Sequence, residues 1–244
     1  FLVALISAEA LLRLRLSGLA LIAGFAMTVF LVANFDFPPS TLLQKIIWLA
    51  LAASLLGVLF NVLDWPVFAT LLPVVASALG IWLVWPLLPV QQGEELMIYV
   101  GCGAVFLSVL VWGLNNLSNE SLRAANATTA LGIGVGIALW NGATLYDELA
   151  LSIGCAAAAH LLIQMISNQP LMTGYSFTLP ASLVLGVIAC IALLAGQLTW
   201  YCLPLLAAIP LIAWLLPLPK LPALLQSLIL STITAPLAIA VAYL

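Results

Sequence analysis

Apolar residues run along this chain in long continuous blocks, without the alternation of strands or the one-sided spacing of helices on a water-soluble core. Nine blocks stand out, at about 17–34, 42–63, 66–88, 96–114, 123–141, 147–166, 181–198, 200–217 and 221–243. Each approaches the roughly 20 residues that a helix needs to cross a hydrocarbon core. A membrane β-barrel would instead alternate apolar and polar residues over segments of about 10. The pattern predicts an all-α fold: a polytopic transmembrane helical bundle of about nine spans, with a range of about eight to ten.

Short polar breaks separate the blocks. Phe35-Asp36-Phe37-Pro38-Pro39-Ser40 cannot continue a helix. Asp64-Trp65-Pro66 supplies a capping acid and a proline suited to a first turn. Gln91 to Glu95 and Asn115 to Glu120 read as loops, and 167–180 reads as the longest weakly apolar connection. Gln197 to Trp200 is all that divides the seventh block from the eighth. Residues 1–16 carry Glu9, Arg13 and Arg15 and read as an interfacial helix or a truncated span; 17–244 reads as one transmembrane domain.

Charge settles the solvent. Lys and Arg total 5, Asp and Glu 8 and His 1 in 244 residues, and 66% are hydrophobic. Soluble domains carry about 25% charged residues; this chain carries 5%. Mean hydropathy is +1.30. No basic cluster offers a surface for nucleic acid. The expected partners are membrane lipids, together with other membrane subunits or a second copy of the chain.

Orientation follows from cations. Nine spans place Arg13, Arg15, Arg123 and Lys220 on one side and Lys45 near the other. The positive-inside rule then puts the N-terminus in the cytoplasm, and the expected home is a bacterial inner membrane. Lys45, one turn into the second block, is placed to snorkel to the interface. Three Asn-X-Ser/Thr sequons, at Asn116, Asn119 and Asn126, fall on the cytoplasmic side, where no glycan is expected.

The sixth block carries the strongest candidate for chemistry. Glu148, Ser152, Ala156, His160 and Gln164 recur at four-residue steps, one stripe on a helix. Polar groups are unfavourable in lipid, so the stripe should face protein or a water-filled pathway. His160 is then either a proton- or solute-binding group or a buried histidine bonded to a neighbouring helix. With Gln164, Ser152, Glu148 and Asn61 it forms the set of substrate-pathway candidates.

Close packing is expected where small residues recur every fourth position. Gly132 and Gly136 do so in the fifth block, with Gly134 in a parallel file, and Gly57 lies in a similar file of the second. Proline inside a span frees a carbonyl that lipid cannot bond. Pro73, Pro204, Pro210 and Pro236 are therefore hinge candidates expected to face protein. Leu72-Pro73-Val74-Val75-Ala76 parallels Leu203-Pro204-Leu205-Leu206-Ala207 in spans of opposite direction, which reads either as a weak inverted-topology repeat of the kind that builds transporters or as a chance match among residues common throughout the chain.

Absences narrow the chemistry. The four cysteines lack CxxC spacing, one histidine cannot pair on a haem, and no motif for a metal, a nucleotide or a serine nucleophile occurs. No cofactor, metal or catalytic residue is expected; enzyme chemistry could rest only on the polar loop residues Asp64, Asn115, Asn116, Glu120, Asp147 and Glu148. Two functions remain: a translocation pathway for a small uncharged, zwitterionic or lipid-like substrate, or a non-catalytic subunit of a larger membrane complex.

Overall fold

The structure is a computed structural model that describes residues 19–32, 41–63, 66–88, 94–140, 145–167, 173–216 and 222–243. Among these residues nine α-helices occur and no strand: α1 (Leu19–Val32), α2 (Leu42–Leu63), α3 (Pro66–Val84), α4 (Glu94–Asn116), α5 (Ser121–Leu139), α6 (Leu145–Ser167), α7 (Gly174–Leu194), α8 (Cys202–Leu215) and α9 (Ala223–Tyr243). A 3₁₀ turn, Trp85–Leu87, extends α3. Seven of the helices are long and apolar enough to cross a membrane; α1 and α8 are apolar but shorter. The chain has the make-up of a multi-pass integral membrane protein. The reading of 1–16, with its Glu9 and Arg13, lies outside the described residues, as do Asp36, Asp64 and Lys220.

Two helices organise the bundle. In α7, 89% of the apolar stretch is buried, against 28% in α9, which places α7 at the centre and α9 at the edge. α2, α3, α4 and α5 all touch α7, and α5 in turn packs α6, α8 and α9. In lipid the hydrophobic effect does not sort one apolar face from another, so close approach and polar contacts decide which faces meet. The α5–α6 contact shows this directly. Ala124, Ala125, Ala127, Ala150, Ala156, Ala157 and Ala159 are all buried. A Cβ on Gly132 would lie 2.5 Å from the backbone of Gly154. Large apolar side chains instead point outward: Phe30, Val62, Met97 and Ile166 are strongly exposed, as a lipid-facing surface requires.

The centre of the bundle departs from the sequence reading. α7 begins at Gly174, inside the stretch read as a loop, and encloses Pro180. Thr173, Gly174 and Pro180 look like loop punctuation in one dimension. In the fold they form the first turns of the most buried helix. Pro180 has no N–H to offer the Ser176 carbonyl four residues earlier, a defect that only a protein-lined position tolerates. Hydroxyls along the helix satisfy themselves on its own carbonyls: Ser176 to Thr173 at 3.2 Å, Thr178 to Gly174 at 3.3 Å and Ser182 to Leu179 at 3.0 Å. The helix also stops earlier than the apolar run suggests. Gly196, at φ 70°, lets its own N–H reach the Leu193 carbonyl and that of Gln197 reach Ala192. This pair of bonds closes the C-terminus.

Only one ion pair occurs among the described residues, between Glu120 and Arg123 at 2.8 Å. Arg123 also donates to the Trp214 carbonyl at 3.3 Å. That carbonyl belongs to the last turn of α8, where the helix dipole favours a cation.

Candidate functional site

The polar stripe of α6 winds from the surface into the core. Glu148 is exposed and Ser152 half-buried, with its hydroxyl bonded to the Leu149 carbonyl at 2.7 Å. Ala156 and His160 are fully buried, and Gln164 is 2% exposed. The small residues of α5 draw α6 close enough to bury the lower part of the stripe. Gly154 meets Gly132, and further along Ser121 donates to the Gln164 Oε1 at 3.3 Å. His160 lies between these two contact points on α6, and its ring packs on Phe177 of α7 at 5.2 Å.

His160 nevertheless has no hydrogen bond at either Nδ1 or Nε2, and Gln164 Nε2 has none. A buried imidazole presents one donor and one acceptor in its neutral form. Leaving such a group unsatisfied costs about 1–3 kcal/mol. Two adjacent residues on one helix, one turn apart, therefore hold hydrogen-bonding capacity that the described protein does not use. Asn115 Nδ2, Asn116 Nδ2, Thr128 Oγ1 and Asp147 Oδ1 are in the same condition on α4, α5 and α6.

A second polar layer surrounds the start of α7. Thr173 Oγ1 and the Gly174 N–H both donate to the Ser118 carbonyl at 3.0 Å. Thr178 Oγ1 donates to the Asn115 Oδ1 at 3.1 Å. Asn61, at the end of α2, accepts the Tyr175 N–H at 2.8 Å and donates to the Ser176 hydroxyl at 3.2 Å. Asn61 thus caps α7 from another helix, filling one of the donors that every helix start leaves open. The approach is close enough that a Cβ on Gly57 would meet Tyr175 and Ser176, and one on Gly174 (φ 59°) would meet Asn61. The ends of α2, α4 and α6 and the starts of α5 and α7 therefore share one end of the bundle. The pathway candidates divide there: His160 and Gln164 join Ser121 and Phe177, Asn61 joins α7, and Ser152 and Glu148 stand apart.

A third network lies where the sequence showed only a sequon. Asn126 Nδ2 donates to the Ser231 hydroxyl at 2.8 Å and to the Ser227 carbonyl at 3.4 Å. Its Oδ1 accepts from Thr234 at 3.0 Å. The signal was present in α9, where Ser227, Ser231 and Thr234 fall on one helical face. A groove of about 220 Å³ opens beside this network, between α5 and α9, with Gly134 against Ala238 near it. His160 does not line it, nor a groove of about 310 Å³ between α2 and α3.

The prolines separate by depth. Pro73 and Pro210 are buried in α3 and α8, and Pro210 packs against Gly113. Pro204 and Pro236 are exposed, contrary to the expectation that all four face protein. Pro204 occupies the first turn of α8, where no helical N–H is required, so it frees no carbonyl. Pro73, its counterpart in the parallel between the two sequence stretches, lies instead in the interior of α3. Among the described residues no group of three His, Cys, Asp or Glu side chains is placed to hold a metal ion. No protein-family model, curated protein or solved structure matches the chain.

Proposed function

We propose that the bundle forms a translocation pathway for a small uncharged or zwitterionic solute that hydrogen-bonds as it passes. The observation that supports this reading is the unused hydrogen-bonding capacity of two buried α6 side chains, both ring nitrogens of His160 and the Nε2 of Gln164. An ionisable group inside a membrane protein is by default a candidate for a substrate or proton pathway. A solute carrying a donor and an acceptor would satisfy both side chains. His160 is 0% exposed, so the described state is occluded. Pro180, beside Phe177 and the polar layer of α7, supplies the place where opening would begin. A lipid-like substrate fits the same interior less well, because it brings few hydrogen bonds. The cation bias on Arg13, Arg15, Arg123 and Lys220 supports an inner-membrane location with the N-terminus in the cytoplasm.

The second reading is a non-catalytic subunit of a larger membrane complex. It is favoured by the two grooves and their separation from His160. Flux through proteoliposomes distinguishes the two. Stopped-flow light scattering with urea, glycerol and glycine should show at least one solute entering faster than into empty vesicles. Rates equal to empty vesicles for all three, with folded protein present, would reject the pathway and favour the subunit.

A further inference from the structure

We propose that the groove between α2 and α3 binds one anionic phospholipid, with the phosphate at Lys45 and an acyl chain along the groove. α2 and α3 follow one another in sequence yet scarcely touch. α2 packs chiefly on α7, and α3 on α4 and α7. The cleft left between them measures about 310 Å³. Its walls include Lys45, Trp48 and Ala52 from α2 and Leu79, Trp82 and Leu83 from α3.

The lining is graded along the helix axes. α2 begins at Leu42 and α3 ends at Val84, so Lys45 and Trp82 stand at the same end of the bundle. Lys45 and Trp82 lie nearest the helix ends, Trp48 one turn further in, and Ala52 and Leu79 deeper along the helices. Tryptophan favours the headgroup level, and Trp82 is 69% exposed. A lysine one turn inside a helix reaches toward that same level.

Charge selects the occupant. A groove open to the bilayer does not stay empty, because its walls would lose their dispersion contacts. Some lipid therefore fills it, and the headgroup decides which. Lys45 has no ion pair among the described residues. A zwitterionic headgroup brings its own cation next to Lys45, whereas an anionic one brings only the phosphate. One lysine near an anionic surface favours it by about fivefold.

The test counts retained lipid. Protein purified and delipidated in mild detergent is incubated with equal phosphatidylglycerol and phosphatidylcholine, and bound lipid is read by native mass spectrometry. One phosphatidylglycerol should be retained about fivefold over phosphatidylcholine, and it alone should raise the Tm. Lys45→Met should retain both lipids equally, with its lipid-free Tm unchanged. Ala52→Trp, which fills the groove, should retain neither. Equal retention by the unaltered chain overturns the proposal whatever the variants do, and so does a preference that survives in Lys45→Met.

Discussion

Gly132→Leu should prevent the bundle from assembling, so that no monodisperse protein is recovered from the membrane. A side chain at this position meets the Gly154 N and Cα at 2.5 Å and the Ala150 carbonyl at 2.9 Å. Those atoms are backbone, so no rotamer change relieves the overlap, and α5 and α6 must move apart. Separation takes with it the Ser121–Gln164 bond and the burial of His160. Gly132→Ala should survive with a loss of about 1–3 kcal/mol, the usual penalty for overpacking. Gly101→Ala provides the contrast, because a Cβ there has nothing within 4 Å. It should be neutral or stabilising by up to about 1 kcal/mol. Thermal unfolding in detergent measures all three. If Gly132→Ala matches Gly101→Ala, the close α5–α6 contact is wrong.

His160→Leu should sharply reduce solute flux while leaving the protein as stable as before, or more so. Neither imidazole nitrogen has a partner to lose. Replacing an unsatisfied polar group with an apolar one of similar size removes a penalty of about 1–3 kcal/mol. A histidine whose role was to bond a neighbouring helix would behave in the opposite way and destabilise when replaced. Flux should fall about tenfold or more, since each 1.4 kcal/mol of lost contact in the barrier is a factor of ten. Gln164→Leu keeps the bulk but orphans the Ser121 hydroxyl, so it should lose flux and also a little stability. A destabilised His160→Leu with unaltered flux would assign the residue to structure alone. Activity falling while stability holds or rises is the pattern of a site that keeps unfavourable groups for function.

Much of this architecture could be read from the sequence, because lipid leaves so few choices. Every described helix but α7 begins and ends within a few residues of its apolar block. The exception is instructive. Pro180 and Gly174 are punctuation in a soluble loop, yet both belong to α7, the most buried helix. Apolar content alone cannot distinguish a buried proline from a loop proline; the difference is made by Ser118, from the turn between α4 and α5, and Asn61, from α2, which satisfy the start of α7. The candidate site was legible in the same partial way. A four-residue period put His160 and Gln164 on one face of α6, but not which helix that face meets. Phe177 and Ser121 became visible as neighbours only in three dimensions. Asn126 reads in the sequence only as a sequon, because its partners, Ser227, Ser231 and Thr234, are a hundred residues away and each hydroxyl alone is unremarkable in a membrane helix.

The underlying claim is that the polar side of α6 turns into the protein and its apolar side into lipid. Spin labels placed singly at positions 160, 162, 164 and 166, in a chain whose four native cysteines are replaced, measure this through collisions with dissolved oxygen. Leu162 and Ile166 are 39% and 82% exposed, so labels there should collide freely, while labels replacing His160 and Gln164 should be shielded. Oxygen access at 160 and 164 equal to that at 166 would place those side chains among acyl tails and contradict the account.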